Sequence, residues 1–396
     1  MNILVLNCGG SSVKFQIFDM PSEVVLAKGM IERIGKEDAI FHYALAGQIA
    51  EQKITAIPNH KSAINIALES IINDKAIGKI DAIGHRLVHG GEKYTGAVFI
   101  DDNVLSTLKE YAGLAPLHNP PNALGIEACK QLMPTTIQVG LFDTALHQTL
   151  PAYAYTYALP YKYYEQYRIR RYGFHGIAFN DITKRAAEFV GKKLKELRII
   201  SLMLGSGTTA NAMKHGLSVD VSTGLTPLQG LVQSTRSGDI DPAAVTYIMK
   251  QEGLTPEQMD DILNKKSGWF GISGVSNDLR EVEQAAQQGN KRAKLAIDTF
   301  VYSCKKYIGA YAAAMNGFDV LAFSGGIGEK SAYIRQEICN NLEFLGIIID
   351  EDKNCDKTLP RSITKSNSRV QVVVVPVNEE LVIAQETYKL INNNGR

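Results

Sequence analysis

Arg86 and Arg236 are the residues most ready for chemistry. Arg86 follows an apolar run beginning at Ile80 and lies in Gly84-His85-Arg86-Leu87-Val88-His89-Gly90-Gly91; Arg236 lies in Ser234-Thr235-Arg236-Ser237-Gly238-Asp239, just ahead of Asp241-Pro242. A guanidinium is a planar fork of donors that matches a carboxylate or a phosphate. A structural ion pair on a loop is the plainer alternative for Arg86. Two acids hold comparable places: Asp143 directly follows the β-rich residues 136–142, and Glu379 follows residues 371–377. An acid at a strand end can hold Mg²⁺ through water or orient a phosphoryl acceptor; capping a helix is the alternative for Asp143. His175, between Gly173-Phe174 and Gly176, either presents an imidazole to a ligand or is a satisfied core histidine. His85 and His89 are four residues apart, but their glycine-rich surroundings oppose a helix and no HExxH is present, which disfavours zinc.

Anion-binding turns must accompany such groups. Residues 3–8 and 13–18 read as two strands joined by Gly9-Gly10-Ser11-Ser12 and followed by Lys14, a loop whose bare backbone N–H groups and hydroxyls suit phosphate. A ligand-free hairpin explains it equally well. Its spacing is that of neither a Walker loop nor a dinucleotide fingerprint. The pattern recurs where residues 199–204 enter Gly205-Ser206-Gly207-Thr208-Thr209, which suggests two similar domains facing one cleft. A third glycine-rich turn, Gly325-Gly326-Ile327-Gly328-Glu329, follows the apolar residues 319–324 and could lie against a flat base.

The elements that would position these groups follow from the hydrophobic pattern. Strands are expected over residues 24–34, 39–46 and 48–57, and helices over 61–73, 101–112 and 122–132, the last after a rigid turn at Pro120-Pro121. Asp241-Pro242 and Thr255-Pro256 open helices, residues 285–315 form one or two long helices broken near Gly289, and the chain ends in a helix after Glu380. The eight tyrosines of residues 153–172 read as a packed surface. The expected class is α/β: two similar domains with mixed sheets flanked by helices, residues 1–147 plus 381–396 and residues 148–380.

Composition narrows the partners. With 42 basic and 41 acidic residues among 396, no field favours nucleic acid or a membrane surface. Five scattered cysteines without a CxxC pair indicate reduced thiols and a cytoplasmic setting. No apolar run is long enough to span a bilayer.

Together, NCGGSSVKF, HRLVHGGE, LAPLHNPPN, FDTALHQTLP, YGFHG, GLTPLQG, TRSGDIDP, SGVSNDLR, FSGGIGE and PVNEELVIA resemble, in order and spacing, the acetate and propionate kinases, the acetokinase family of the actin-like (ribonuclease H-like) phosphotransferases. The resemblance implies ATP/ADP as co-substrate, Mg²⁺ or Mn²⁺ as cofactor, acetate or propionate as acceptor, a homodimer, and hinge closure. It implies that Arg86 and Arg236 hold the carboxylate and the phosphoryl group, that His175 supports the transition state, and that Asp143 and Glu379 are essential, with Glu379 and Asn7 serving the metal. Val88, Leu117, His118, Phe174 and Pro227 would form the acyl site. Ser12 and Lys14 would meet phosphates. The nucleotide would lie along Met203, Leu204, Gly205, Ser206 and Gly207; Asp278, Leu279 and Arg280; and Gly326, Ile327, Gly328, Glu329 and Lys330.

Departures from the family pattern gather on the nucleotide side. Met203 and Ser206 stand where the family carries histidine and asparagine, Gln233 and Ser234 where it carries methionine and glycine, and Lys330 where it carries asparagine. An acyl kinase with another donor such as pyrophosphate, an impaired nucleotide-binding relative, and a nucleotide switch of the chaperone kind stay open at this level. A carboxylate pocket has no use in the last of these.

Overall fold

The computed structural model describes residues 1–49, 51–116 and 118–394. The chain divides into two compact units, Met1–Gln148 with the segment from Asn378 onward, and Thr149–Val377. Glu379 therefore belongs to the first unit, whereas the boundary expected at 380/381 placed it in the second.

The first unit is built on eight strands: β1 Asn2–Cys8, β2 Ser12–Asp19, β3 Val24–Glu32, β4 Ala39–Leu45, β5 Glu51–Thr55, β6 Ala82–Leu87, β7 Val98–Phe99 and β8 Ile137–Phe142, in the order β5-β4-β3-β2-β1-β6-β8-β7. The apolar run Ile3, Leu4, Val5 and Leu6 is buried throughout, as a central strand covered on both faces requires. β1 pairs antiparallel with β2 and parallel with β6, and β6 runs parallel to β8. Register sets Lys14 opposite Asn7 and Asn7 opposite Arg86, so the three form one row on one face at the same end of the sheet. Asp143 comes one residue after β8, at the carboxyl ends of the parallel strands, where open α/β sheets place their ligands. Glu379 starts the helix Glu379–Asn394. That helix lies so close to β6 that a Cβ on Gly84 would stand 2.6 Å from Ile383 Cγ2 and 2.7 Å from Thr387 Oγ1.

The helix expected from 122 begins at Asn119, with Pro120 and Pro121 in its first turn. Proline there lacks only an N–H that the helix would not use, so Pro-Pro opens the helix and does not stand off as a turn.

In the second unit β9 Arg198–Leu204, β10 Thr208–Lys214, β11 Leu217–Val221, β12 Val320–Ser324, β13 Arg361–Ser362 and β14 Gln371–Val374 form a sheet in the order β11-β10-β9-β12-β14-β13. β9 pairs antiparallel with β10 and parallel with β12, which runs parallel to β14. Its first five strands repeat the order β3-β2-β1-β6-β8, third-second-first-fourth-fifth, with the same directions. The hairpins differ by one residue: Cys8 pairs with Val13, and Leu204 with Thr208. The long helical pattern resolves into Leu279–Gln287 and Lys291–Met315, separated at Gly289 (φ +92°). Ile297, Val301, Cys304, Ile308, Tyr311 and Met315 recur every three or four residues along the second helix and are buried in the core with Trp269 and Phe300.

Candidate active site

In the first unit a buried acid, a second acid and an amide surround Arg86. Its Nη2 donates to Asp143 Oδ2 at 2.6 Å, its Nη1 donates to Asn7 Oδ1 at 3.3 Å, and its Nε lies 3.3 Å from Glu379 Oε2. Asp143 is 1% exposed. Burial pushes its pKa up, opposed by Arg86 and reinforced by Glu379. Burial also works against the Arg86 charge, but Asp143 and then Glu379 more than offset it and leave the guanidinium firmly protonated. Leu381 N donates to Asn378 Oδ1, so Asn378 caps the last helix and Glu379 is left for Arg86. Asp143 likewise spends its carboxylate on Arg86.

The loop after Arg86 is held by residues that sequence reading passed over. Asn122 Oδ1 accepts from Val88 N at 3.1 Å while its Nδ2 donates to Cys8 O at 3.0 Å; Asn119 Oδ1 accepts from His89 N at 3.1 Å. Both asparagines are buried, and their signal was the pair flanking Pro120-Pro121. Val88 is buried, and His118 is half-buried just ahead of that helix. Leu117 lies outside the described residues. Lys14 is exposed, Ser12 half-buried, and Gly9 N donates to Ser12 O at 2.8 Å to close the first hairpin.

In the second unit Arg236 is mostly buried without a carboxylate partner among the described residues. Its Nη1 donates to Gln233 Oε1 at 3.3 Å, and burial pulls its pKa below the ordinary arginine value. His175, in the left-handed region (φ 60°), shares a 2.9 Å hydrogen bond through Nδ1 with Thr209 Oγ1. A Cβ on Gly207 would lie 3.5 Å from His175 Cε1, so the ring borders the β9–β10 turn. Phe174 is buried, with its N donating to Thr223 Oγ1, and Pro227 is half-buried.

A cavity of about 560 Å³ opens in this unit. Gly205, Ser206, Asp278, Leu279, Arg280, Gly326, Ile327 and Lys330 line it, joined by Trp269, Asn277, Glu283 and Ser331, which sequence reading did not single out. Met203, Leu204, Gly207, Gly328 and Glu329 do not line it. Leu204 is fully buried in the core because strand alternation turns it inward, Gly328 is buried beneath its helix, and Glu329 Oε1 turns back to accept from Gly325 N at 3.1 Å. Asp278 caps Leu279–Gln287 by accepting from Arg280 N, and also pairs with the exposed Arg280 guanidinium. Glu283, raised in pKa by burial, accepts from Ser331 Oγ at 3.2 Å.

Among the described residues no three His, Cys, Asp or Glu side chains cluster closely enough to hold a metal unaided. Asn7, Asp143 and Glu379 offer only oxygen donors, which suits a hard cation that takes the rest of its shell from phosphates and water.

Two mixed sheets that share one five-strand order, each flanked by helices, define an α/β protein with two similar actin-like domains. The sequence profile of the Acetokinase family matches residues 2–385, and the chain belongs to that family. It is 51% identical over 398 residues to the acetate kinase of Carboxydothermus hydrogenoformans, covering 99% of this chain and 100% of that one. Among solved structures, Porphyromonas gingivalis acetate kinase superposes with a TM-score of 0.92 at 43% identity, covering 98% of this chain and 99% of that one. A propionate kinase from Francisella tularensis gives a TM-score of 0.92 at 39% identity, with the same coverage.

Proposed function

We propose that the protein is a short-chain acyl kinase that moves the terminal phosphoryl group of ATP reversibly onto acetate or propionate, giving the acyl phosphate and ADP. The observation that carries this reading, alongside family membership, is the mostly buried Arg236 guanidinium, which meets no carboxylate among the described residues, since a charge withdrawn from water is costly until an anion meets it. The acceptor carboxylate is already ionised at neutral pH. The chemistry therefore needs no strong base and no covalent nucleophile; it needs in-line positioning and neutralisation of spread charge. Arg236 and Arg86 take the phosphoryl group and the carboxylate, Asp143 holds Arg86 in place, and His175, fixed by Thr209, donates to the transferring group. Phe174 and Pro227, both in the second unit, supply an apolar wall for the acyl chain.

Asn7 and Glu379, with Asp143 behind them, are the residues that would hold Mg²⁺. When bound it would neutralise phosphate charge. The partly apolar cavity beside Ser206, with Trp269, Leu279 and Ile327 in its lining, favours a nucleoside triphosphate over pyrophosphate, which would have no use for walls that fit a base. Reduced thiols and family membership support a cytoplasmic homodimer, and no described helix is long and apolar enough to cross a membrane. The reverse reaction tests the assignment: acetyl phosphate and ADP should give ATP in a coupled assay, and absence of ATP from a folded protein would refute it.

A further inference from the structure

Gln233 stands where the family pattern has a methionine, and it is 2% exposed. A buried amide is stable only when both its ends are hydrogen bonded. Here Nε2 donates to Pro227 O at 2.7 Å, and Oε1 accepts from Arg236 Nη1 at 3.3 Å. The backbone closes the same turn, with Gln233 N donating to Arg236 O at 3.2 Å. No other hydrogen bond orients the Arg236 guanidinium among the described residues. Oε1 also faces the β9–β10 turn, where a Cβ on Gly207 would lie 3.6 Å from it and 3.5 Å from His175 Cε1. A methionine thioether has no donor and only a weak acceptor, so it could hold neither Pro227 nor Arg236.

We propose that Gln233 is a positioning residue for phosphoryl transfer: one buried amide ties the Pro227 segment to the Arg236 guanidinium and sets the arginine's aim relative to the acyl wall. The proposal rests on the acyl-kinase reading above. A neutral amide suits the task because it orients the guanidinium without neutralising it. A carboxylate of the same shape would pair with Arg236 and compete with the phosphoryl group.

The test uses the full chain and the variants Gln233→Met and Gln233→Glu. Steady-state kinetics are measured with acetate and ATP varied in turn, together with melting temperature and calorimetric titration with inorganic phosphate as a probe of Arg236. Gln233→Met should lower kcat roughly tenfold, weaken phosphate binding several-fold, and leave KM for ATP within about twofold and the melting temperature near the parent's. Gln233→Glu, nearly isosteric, should lose still more turnover and phosphate affinity. A purely structural glutamine would lower the melting temperature without that split between kcat and KM. Parental kcat and phosphate affinity in both variants would overturn the proposal. If the parent itself forms no acyl phosphate, the acyl-kinase reading fails separately; the phosphate titration then still decides, weakened binding in Gln233→Met supporting the positioning role and parental binding overturning it.

Discussion

Arg86 and Arg236 carry the same charge in opposite surroundings, and their removal should differ accordingly. Arg86 neutralises Asp143 and Glu379, so Arg86→Ala leaves buried acid without its partner and should cost about 3–5 kcal/mol of stability as well as activity. Arg236 meets no acid among the described residues. Arg236→Ala removes a desolvated charge but strips Gln233 Oε1 of its donor, so the melting temperature should shift far less than in Arg86→Ala while turnover falls by roughly two decades or more, the scale of about 2.7–4 kcal/mol seen when a transition-state donor is lost. Thermal melts beside initial rates separate the two patterns, and equal destabilisation would contradict them. The nucleotide-side departures are also coupled in space. Ser206 and Ser234 share a hydrogen bond at 2.9 Å between hydroxyls, and Ser234 N donates to Ser206 O. A serine hydroxyl reaches less far than an amide and offers one donor where the amide offers two, so an asparagine at this position should tighten ATP binding; Ser206→Asn alone, however, breaks the pair with Ser234, so the gain should need Ser234→Gly as well. A double-mutant cycle on KM for ATP should show coupling of about 0.5–3 kcal/mol; additive effects would show that the two sites act independently.

At the scale of elements, the start of the last helix and the middle of β6 give two tests. Asn378 already caps Glu379–Asn394, so Glu379→Ala should cost little through capping and should instead raise the Mg²⁺ concentration needed for half-maximal rate. An unchanged Mg²⁺ dependence would remove Glu379 from the metal role. On β6, burial pushes the His85 pKa down to about 4 against the ordinary 6.5, despite its hydrogen bond to Gln138 Oε1. The folded state then binds fewer protons than the unfolded one between those values. Stability should therefore fall as pH drops from 6.5 to about 4, with His85 contributing up to about 1.4 kcal/mol per pH unit. His85→Gln should flatten that slope in denaturant titrations, and an unaltered slope would contradict the burial argument. Asp143 was legible in the sequence as a strand-end acid because a short β-rich apolar run stops just before it; Arg86 reads as part of the loop after its apolar run, whereas it lies inside β6, where strand pairing with Asn7 carries the polar His85-Arg86 pair into the sheet. The roles of Asn119 and Asn122 were not legible, since their partners, His89 and Cys8, lie far away in the chain and only the fold brings them together. Trp269 and Glu283 were illegible for the same reason: neither stands in a motif, and only the assembled cavity wall brings them beside Ser206.

For the whole molecule, the recurrence of one strand order in both sheets accounts for the two similar glycine-serine hairpins, because each follows the first strand of its own sheet. The sequence carried that repeat in the turns, where small residues are required. It did not carry the boundary that assigns Glu379 to the first unit, because that depends on the last helix docking against Gly84. Family membership from residue 2 to 385 and the paired arginines lead to one central claim, that this chain phosphorylates short carboxylates from ATP. The most direct measurement traps acyl phosphate as its hydroxamate, with acetate, propionate and longer acids offered beside ATP, GTP and pyrophosphate in the presence of Mg²⁺. The account predicts hydroxamate from acetate and propionate with ATP, the two acids differing by roughly tenfold because one methylene in an apolar pocket is worth about 1–3 kcal/mol. Hydroxamate with pyrophosphate alone, or none from either acid, would contradict it.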